Sequence, residues 1–288
     1  MALVVNNNIM ATSAARNLNN AYGALGTSTE RLSSGLRVNS SADDAAGLAV
    51  RELMRSDIST INQGVRNAND GISMIQTADG ALSVIDEKLI RMKELAEQAA
   101  TGTYTDAQRL IIDSEYQAMA SEITRIASAT DFNGIYLLNG NLSSTGITVH
   151  FGTGNDAAED KYDVTIDNCT ASSLGLGVGS SASTDSAGAV VSTQAAAEAA
   201  LEALDAAIVS KDNVRANLGA MQNRLSATIS NLEIQSENLQ ASESRISDVD
   251  VATEMTEYTK QQIITQSAVS MLAQANSLPQ MALSLIGG

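Results

Sequence analysis

Few side chains in this sequence stand in a pattern that could do chemistry. The one histidine, His150, lies in an alternating stretch beside Phe151, and a single imidazole builds neither a metal cluster nor an HExxH zinc site. The one cysteine, Cys169, has no base near it in sequence to take its proton, and it cannot form an internal disulfide. Asp43-Asp44 and Glu159-Asp160 place carboxylates at adjacent positions, which suits a solvated helix start and a loop. The run Leu174-Gly175-Leu176-Gly177-Val178-Gly179 lacks the Lys-Ser/Thr of a phosphate loop and its strand-to-helix setting. Asn39, Asn141 and Asn168 each begin a triplet with glycosylation-sequon spacing. No catalytic or metal-binding constellation emerges, and no enzyme activity or cofactor is expected.

Composition narrows the classes further. The chain has 288 residues and a formal charge of −16, with no basic stripe, so nucleic acid is not an expected partner. It has no Trp, two Phe and one Pro, little aromatic payload for a compact core but a composition that suits long helices. Met1-Ala2-Leu3-Val4-Val5-Asn6 lacks the basic and apolar regions of a cleavable signal, and no membrane span is apparent. Two expectations follow: a cytoplasmic protein, or export by a route that cleaves no signal.

The elements that carry the chain are helices with seams. Residues 261–288 contain no charged side chain or histidine. Their apolar positions Ile264, Ala268, Met271, Ala275, Leu278, Ala282 and Leu285 advance in steps of four and three, a seam that packs on another helix. A charge-free helix is normally hidden from water, but its glutamines are too many for a lipid-facing span. The first forty residues mirror it. Val4, Asn7, Ala11, Ala14, Leu18, Ala21, Leu25, Ser28 and Leu32 form a second seam, again pairing large residues with small ones. The simplest arrangement packs one end helix on the other. Such a pair would still expose uncharged surface, which points to side-by-side packing between copies.

Between the ends, Ser33-Ser34-Gly35 and Asn39-Ser40-Ser41 are turn residues, with Ser41 the expected N-cap of the next helix. Near-heptad spacing from Met54 through Ile61, Ala68, Ile75, Leu82, Leu89 and Ala96 predicts a helix of roughly 80 Å that stops at Thr101-Gly102. A second helix is predicted over about 106–129. Strands are predicted at Ile147–Phe151 and Tyr162–Ile166, joined by a hairpin loop over 152–161, and Thr170–Thr193 reads as a surface loop or semi-ordered linker. Helix returns over about 191–243, with Leu218, Met221, Leu225, Thr228, Leu232, Gln235 and Leu239 on one face. A last helix over about 245–286 should kink at Pro279. The expected fold is mainly α: a long antiparallel coiled-coil rod with a small β-hairpin section and both termini paired at one end.

Four stretches carry a family resemblance. Residues 32–50 read LSSGLRVNSSADDAAGLAV, 65–80 read VRNANDGISMIQTADG, 131–139 read DFNGIYLLN, and 245–286 run from RISDVDVATEM to LPQMALSLI. In this order they closely resemble bacterial flagellin, the subunit of the flagellar filament, over about 1–140 and 190–288. The resemblance implies inner-tube helices at 1–34 and 243–288, a connecting spoke at 35–44, and a rod domain at 45–242 that includes a β section at 135–190, with no large outer domains. It implies a subunit that polymerises with copies of itself into an extracellular filament. It also implies export unfolded through the flagellar export apparatus, and partners in an export chaperone, the filament cap and hook-junction proteins. No membrane partner is expected.

In many flagellins an innate immune receptor reads the rod helices. Within LIRMKELAEQ, Arg91 and Leu95 match that motif, and Glu115 matches a third contact, whereas Glu97 stands where the motif is commonly apolar. The other reading for Arg91 and Leu95 is packing between neighbouring subunits. Serines in the short middle section, Ser143, Ser144, Ser172, Ser173 and Ser180, are candidate glycosylation hydroxyls. The alternatives are a hook–filament junction protein, which shares the terminal pattern, and a cytoplasmic coiled-coil adaptor, which would have charged termini.

Overall fold

The computed structural model describes residues 8–156, 159–177 and 188–286 and, for 278–280 and 282–286, the backbone alone. Five helices carry the described chain: α1 (Ile9–Ser34), α2 (Ala45–Ala100), α3 (Asp106–Ala129), α4 (Gln194–Ser247) and α5 (Val251–Ile286). Two antiparallel hairpins interrupt them, β1 (Asp131–Phe132) with β2 (Ile135–Tyr136), and β3 (Ile147–His150) with β4 (Lys161–Val164). The chain divides into two compact units, Ser59–Ser236 and Met1–Ile58 with Glu237–Gly288. The division cuts both long helices, α2 and α4, so each contributes to both units.

The 59–236 unit holds the main core. Leu82, Ile85, Leu89, Met92 and Ala96 of α2 are fully buried, as their heptad spacing predicts. The buried face is broader than a two-helix seam, because Met74 and Leu95 also point inward. Ile112, Tyr116 and Ile123 of α3 and Leu204, Leu218 and Leu225 of α4 join them in one cluster. Three ion pairs fix α2 antiparallel to α4: Asp79 with Arg215, Asp86 with Lys211, and Lys93 with Asp205. At the C-terminus of α2, buried Arg109 donates to the Ala99 and Thr101 carbonyls at 2.8 and 3.0 Å, supplying donors that the helix end lacks. The turn over 101–105 lets α3 fold back, with Thr105 N donating to Gln108 Oε1 at 2.9 Å.

The β3–β4 hairpin pairs Ile147 with Val164 and His150 with Lys161, shifting the second strand one residue earlier than predicted and ending both strands sooner. Its inward residues Val149 and Val164 belong to the core, while His150 faces out and its carbonyl accepts from Asn67 Nδ2 at 2.8 Å. Gly64 makes that docking possible, since a Cβ there would sit 2.1 Å from the Phe151 carbonyl oxygen.

The structure corrects several sequence expectations. Residues 170–177 are no surface loop: Ala171, Leu174 and Leu176 are core residues. The return segment, which includes buried Val191, is held by α3, where Tyr116 donates to the Gly188 carbonyl and Asp113 accepts from Val191 N, both at 2.8 Å. Among the described residues of 170–193, Ala171, Leu174, Leu176 and Val191 are the buried apolar side chains. The N-cap of α2 is Asp44, not Ser41: Asp44 Oδ1 accepts from Gly47 N at 2.9 Å, while Ser40–Asp43 closes a turn of its own. Near the end of α4, Ser236 is buried instead of Gln235. The break before α5 falls at 248–250 rather than 244, because Asp250 caps α5 by accepting from Ala252 N at 3.0 Å.

Candidate assembly surface

α1 and α5 pack on each other, antiparallel, with Arg31 near Glu254 at one end (3.8 Å) and Asn8 against Ala275 at the other (2.8 Å). α1 begins at an N-cap, Asn8 Oδ1 accepting from Ala11 N at 3.0 Å. It ends at Gly35, whose φ of 73° is the left-handed cap that returns its N–H to the Arg31 carbonyl at 2.9 Å. The described part of the predicted α1 seam faces α5. Ala21 and Ser28 are buried, and Ala11, Ala14, Leu18, Leu25 and Leu32 are half-buried.

The seam of α5 departs from its prediction. Ala268 and Ala275 do face α1, but between them stands Leu272, and towards the N-terminus the inward positions are Thr265, Gln261, Tyr258 and Glu254. These also advance in fours and threes. Ile264 and Met271 turn away and are 40% and 64% exposed. Met255, Ile263, Val269 and Met281 are exposed as well, on several sides of the helix. A helix with apolar residues on several sides has no single stripe, so spacing alone cannot choose which one meets α1. Val4 lies outside the described residues, and so do the side chains of Leu278, Ala282 and Leu285.

Two short segments link this pair to α2 and α4. Leu36 and Asp248 form an isolated antiparallel bridge, Arg37 N donates to the Ser247 carbonyl at 2.7 Å, and Val249 N donates to the Gly35 carbonyl at 3.0 Å. The Arg37 guanidinium reaches the Ile246 carbonyl at 2.7 Å. Asp43 accepts from the backbone N–H groups of Ser40 and Asn39, which holds its carboxyl below the usual carboxylate range. Asp250 is lowered likewise by the Thr253 hydroxyl and by the N–H groups of Thr253 and Ala252.

On the 59–236 unit, the structure brings Arg91 and Glu115 together at 2.8 Å on the surface, with Glu94 completing the group. Its hydrogen bonds to Glu94 and Glu115 raise the Arg91 pKa. Leu95 is placed apart from them, 2% exposed and inside the core. Ser143, Ser144, Ser172 and Ser173 are exposed hydroxyls, and Ser180 lies outside the described residues. Cys169 is fully buried, and burial pushes its thiol up to about 11. No group of three or more His, Cys, Asp or Glu among the described residues could hold a metal, and no described helix is long and apolar enough to cross a membrane. Sequence reasoning missed Asn8, although an Asn directly before an amphipathic run is a helix-start signal.

Family comparison agrees with the helical character of both end regions. Residues 5–143 match the bacterial flagellin N-terminal helical region, and residues 201–286 match the bacterial flagellin C-terminal helical region. The flagellar filament 33 kDa core protein of Treponema phagedenis is 41% identical over 99% of this chain and 100% of its own length. A flagellin of Bacillus subtilis (strain 168) is 41% identical over 98% of this chain and 99% of its own. A solved Vibrio parahaemolyticus structure assigned to the flagellar hook-associated class is 18% identical, with a TM-score of 0.55 over 72% of this chain and 100% of that one, a likeness of fold alone. With both terminal helical regions matched in order and identity near two fifths along essentially the whole length, this chain belongs to the bacterial flagellin family.

Proposed function

We propose that this chain is the self-polymerising subunit of an extracellular flagellar filament, with 1–34 and 243–288 as its inner-tube helices, 35–44 as the spoke and 45–242 as the rod domain. One observation carries the reading. The α1–α5 pair buries a small-residue seam and leaves Ile264, Met271, Met255 and Ile263 exposed on a segment with few charges. Apolar side chains on the remaining faces of a helix need a second set of neighbours, and further copies of the same pair supply them. Isolated amphipathic ends gain most of their stability from such packing, so they fold fully on joining the polymer. Deletion of 246–288 tests this by electron microscopy: the truncated chain forms no filaments, and normal filaments from it would overturn the proposal. A hook–filament junction subunit, which shares the terminal pattern, would give short discrete oligomers in the same micrographs of the full chain.

Export through the flagellar apparatus without a cleaved signal belongs to this reading, with a chaperone on the C-terminal segment and assembly beneath the filament cap beside hook-junction proteins. Recognition by an innate immune receptor is the second part, supported by the exposed Arg91–Glu115 pair. Buried Leu95 would serve it only by supporting the helix from within. In a receptor reporter-cell assay Arg91→Ala loses most of the signal of the parent monomer; full activity would remove the assignment. Ser143, Ser144, Ser172 and Ser173 are accessible for glycosylation, which intact-mass measurement of the native protein would reveal.

A further inference from the structure

Pro279 lies inside α5, which continues to Ile286. A proline has no N–H, so the carbonyl four residues earlier loses its intrahelical donor. That carbonyl belongs to Ala275, which is buried in the α1–α5 pair. A buried carbonyl without a donor is costly, and here a side chain 267 residues away supplies one: Asn8 Nδ2 donates to the Ala275 oxygen at 2.8 Å. The same amide's Oδ1 caps α1 through Ala11 N. One side chain thus serves both helices, the start of α1 and the interruption in α5.

We infer that Asn8 is the positioning residue that sets the lengthwise register of α1 against α5, by holding the carbonyl that Pro279 leaves free. The inference rests on the reading of this pair as the polymerising part. The rest of the seam is poorly suited to the task. On α1, Leu18, Leu25 and Leu32 recur every seven residues with small residues between them, and Ala268 and Ala275 of α5 are also a heptad apart, so a slipped pair meets side chains of the same kinds. The Arg31–Glu254 contact, at 3.8 Å, is long for a hydrogen bond. A shift of one helical turn would carry the Ala275 carbonyl about 5.4 Å from Asn8, beyond hydrogen-bond reach. Carbonyls earlier in α5 already have intrahelical donors, so Asn8 would find no free acceptor in the slipped register. The residue type is specific too. Asp caps a helix as well as Asn but has no N–H to donate at neutral pH.

The test uses the full-length chain and a double-mutant cycle. Asn8→Asp keeps the cap and removes the donor. Pro279→Ala restores an N–H to the Ala275 carbonyl and makes the donor dispensable. The readout is the critical concentration for growth from filament seeds, measured by sedimentation. Asn8→Asp raises it about tenfold, in keeping with one buried carbonyl left unpaired. In the Pro279→Ala background the same substitution raises it by less than about twofold, because the carbonyl is already satisfied. Parent-like growth of Asn8→Asp, or equal damage in both backgrounds, would overturn the inference. If the parent chain stays monomeric, the polymerisation reading fails, and amide hydrogen exchange of 9–34 and 251–286 reads the clasp instead. Faster exchange in Asn8→Asp, cancelled by Pro279→Ala, then supports it, and unchanged exchange overturns it.

Discussion

At the residue scale, environment rather than identity decides what a side chain does. Cys169 looks in sequence like a lone thiol with no base near it, and the structure buries it fully, its pKa raised to about 11 by burial and by Asp167. Iodoacetamide at pH 8 therefore leaves the native chain largely unmodified and alkylates it rapidly in urea, with the label read by mass spectrometry. The pH dependence has a definite sign. Between the ordinary thiol value of 9.0 and about 11 the unfolded chain gives up the Cys169 proton and the folded chain keeps it, so stability falls as pH rises through that window. Thermal melts of Cys169→Ala should show a shallower alkaline decline; Tyr116, also raised by burial, preserves part of it. Met271 teaches the opposite lesson. It belongs to a legible apolar pattern but points outward, so Met271→Lys should leave the monomer's melting temperature within about 2 °C while lowering the sedimentable polymer severalfold. A large loss of monomer stability would place Met271 in the intrachain seam after all.

At the element scale, the heptad spacing of α2 reveals that the helix is long and which side is buried, while alignment with α4 depends on paired charges. On α2, Asp79, Asp86 and Lys93 stand one heptad apart, and the sign changes at the third. On α4 the partners are Arg215, Lys211 and Asp205, so a one-heptad slip would set Asp86 against Asp205 or Lys93 against Lys211. The three rungs differ in weight. Lys211 is almost completely buried, and although burial opposes its charge, hydrogen bonds to Asp212 and Asp86 more than offset that and raise its pKa. Asp86→Ala should cost about 3 kcal/mol by denaturant unfolding, since it strips a partner from a buried cation. Lys93→Ala, at an exposed pair, should cost under about 1 kcal/mol. Reversing both residues of the middle rung, Asp86→Lys with Lys211→Asp, recovers part of the loss; if it recovers nothing, the ladder does not set the alignment.

At the scale of the whole molecule, the two compact units divide the work: 59–236 has a broad hydrophobic core, and the unit formed by the two ends rests mainly on a small-residue seam. Limited proteolysis of the monomer should therefore trim α1 and α5 first and leave a core fragment that contains 59–236, whereas the polymer should protect both ends. Equal protection of the ends in both states would contradict folding on assembly. Much of this was legible in sequence. Helix identity, the limits of α3 and the described part of the α1 seam all follow from periodicity and residue type, which act locally. Three things were decided only in three dimensions. The face of α5 that meets α1 depends on a partner, because a helix with apolar residues on several sides offers more than one. The burial of Leu174, Leu176 and Cys169 depends on a shared core cluster that includes Tyr116 of α3 and Val164 of the hairpin, and on the Leu138 carbonyl, which accepts from Cys169 N at 3.0 Å. The Asn8–Ala275 contact depends on folding that brings together residues 267 positions apart, a distance at which no local pattern in the chain can speak.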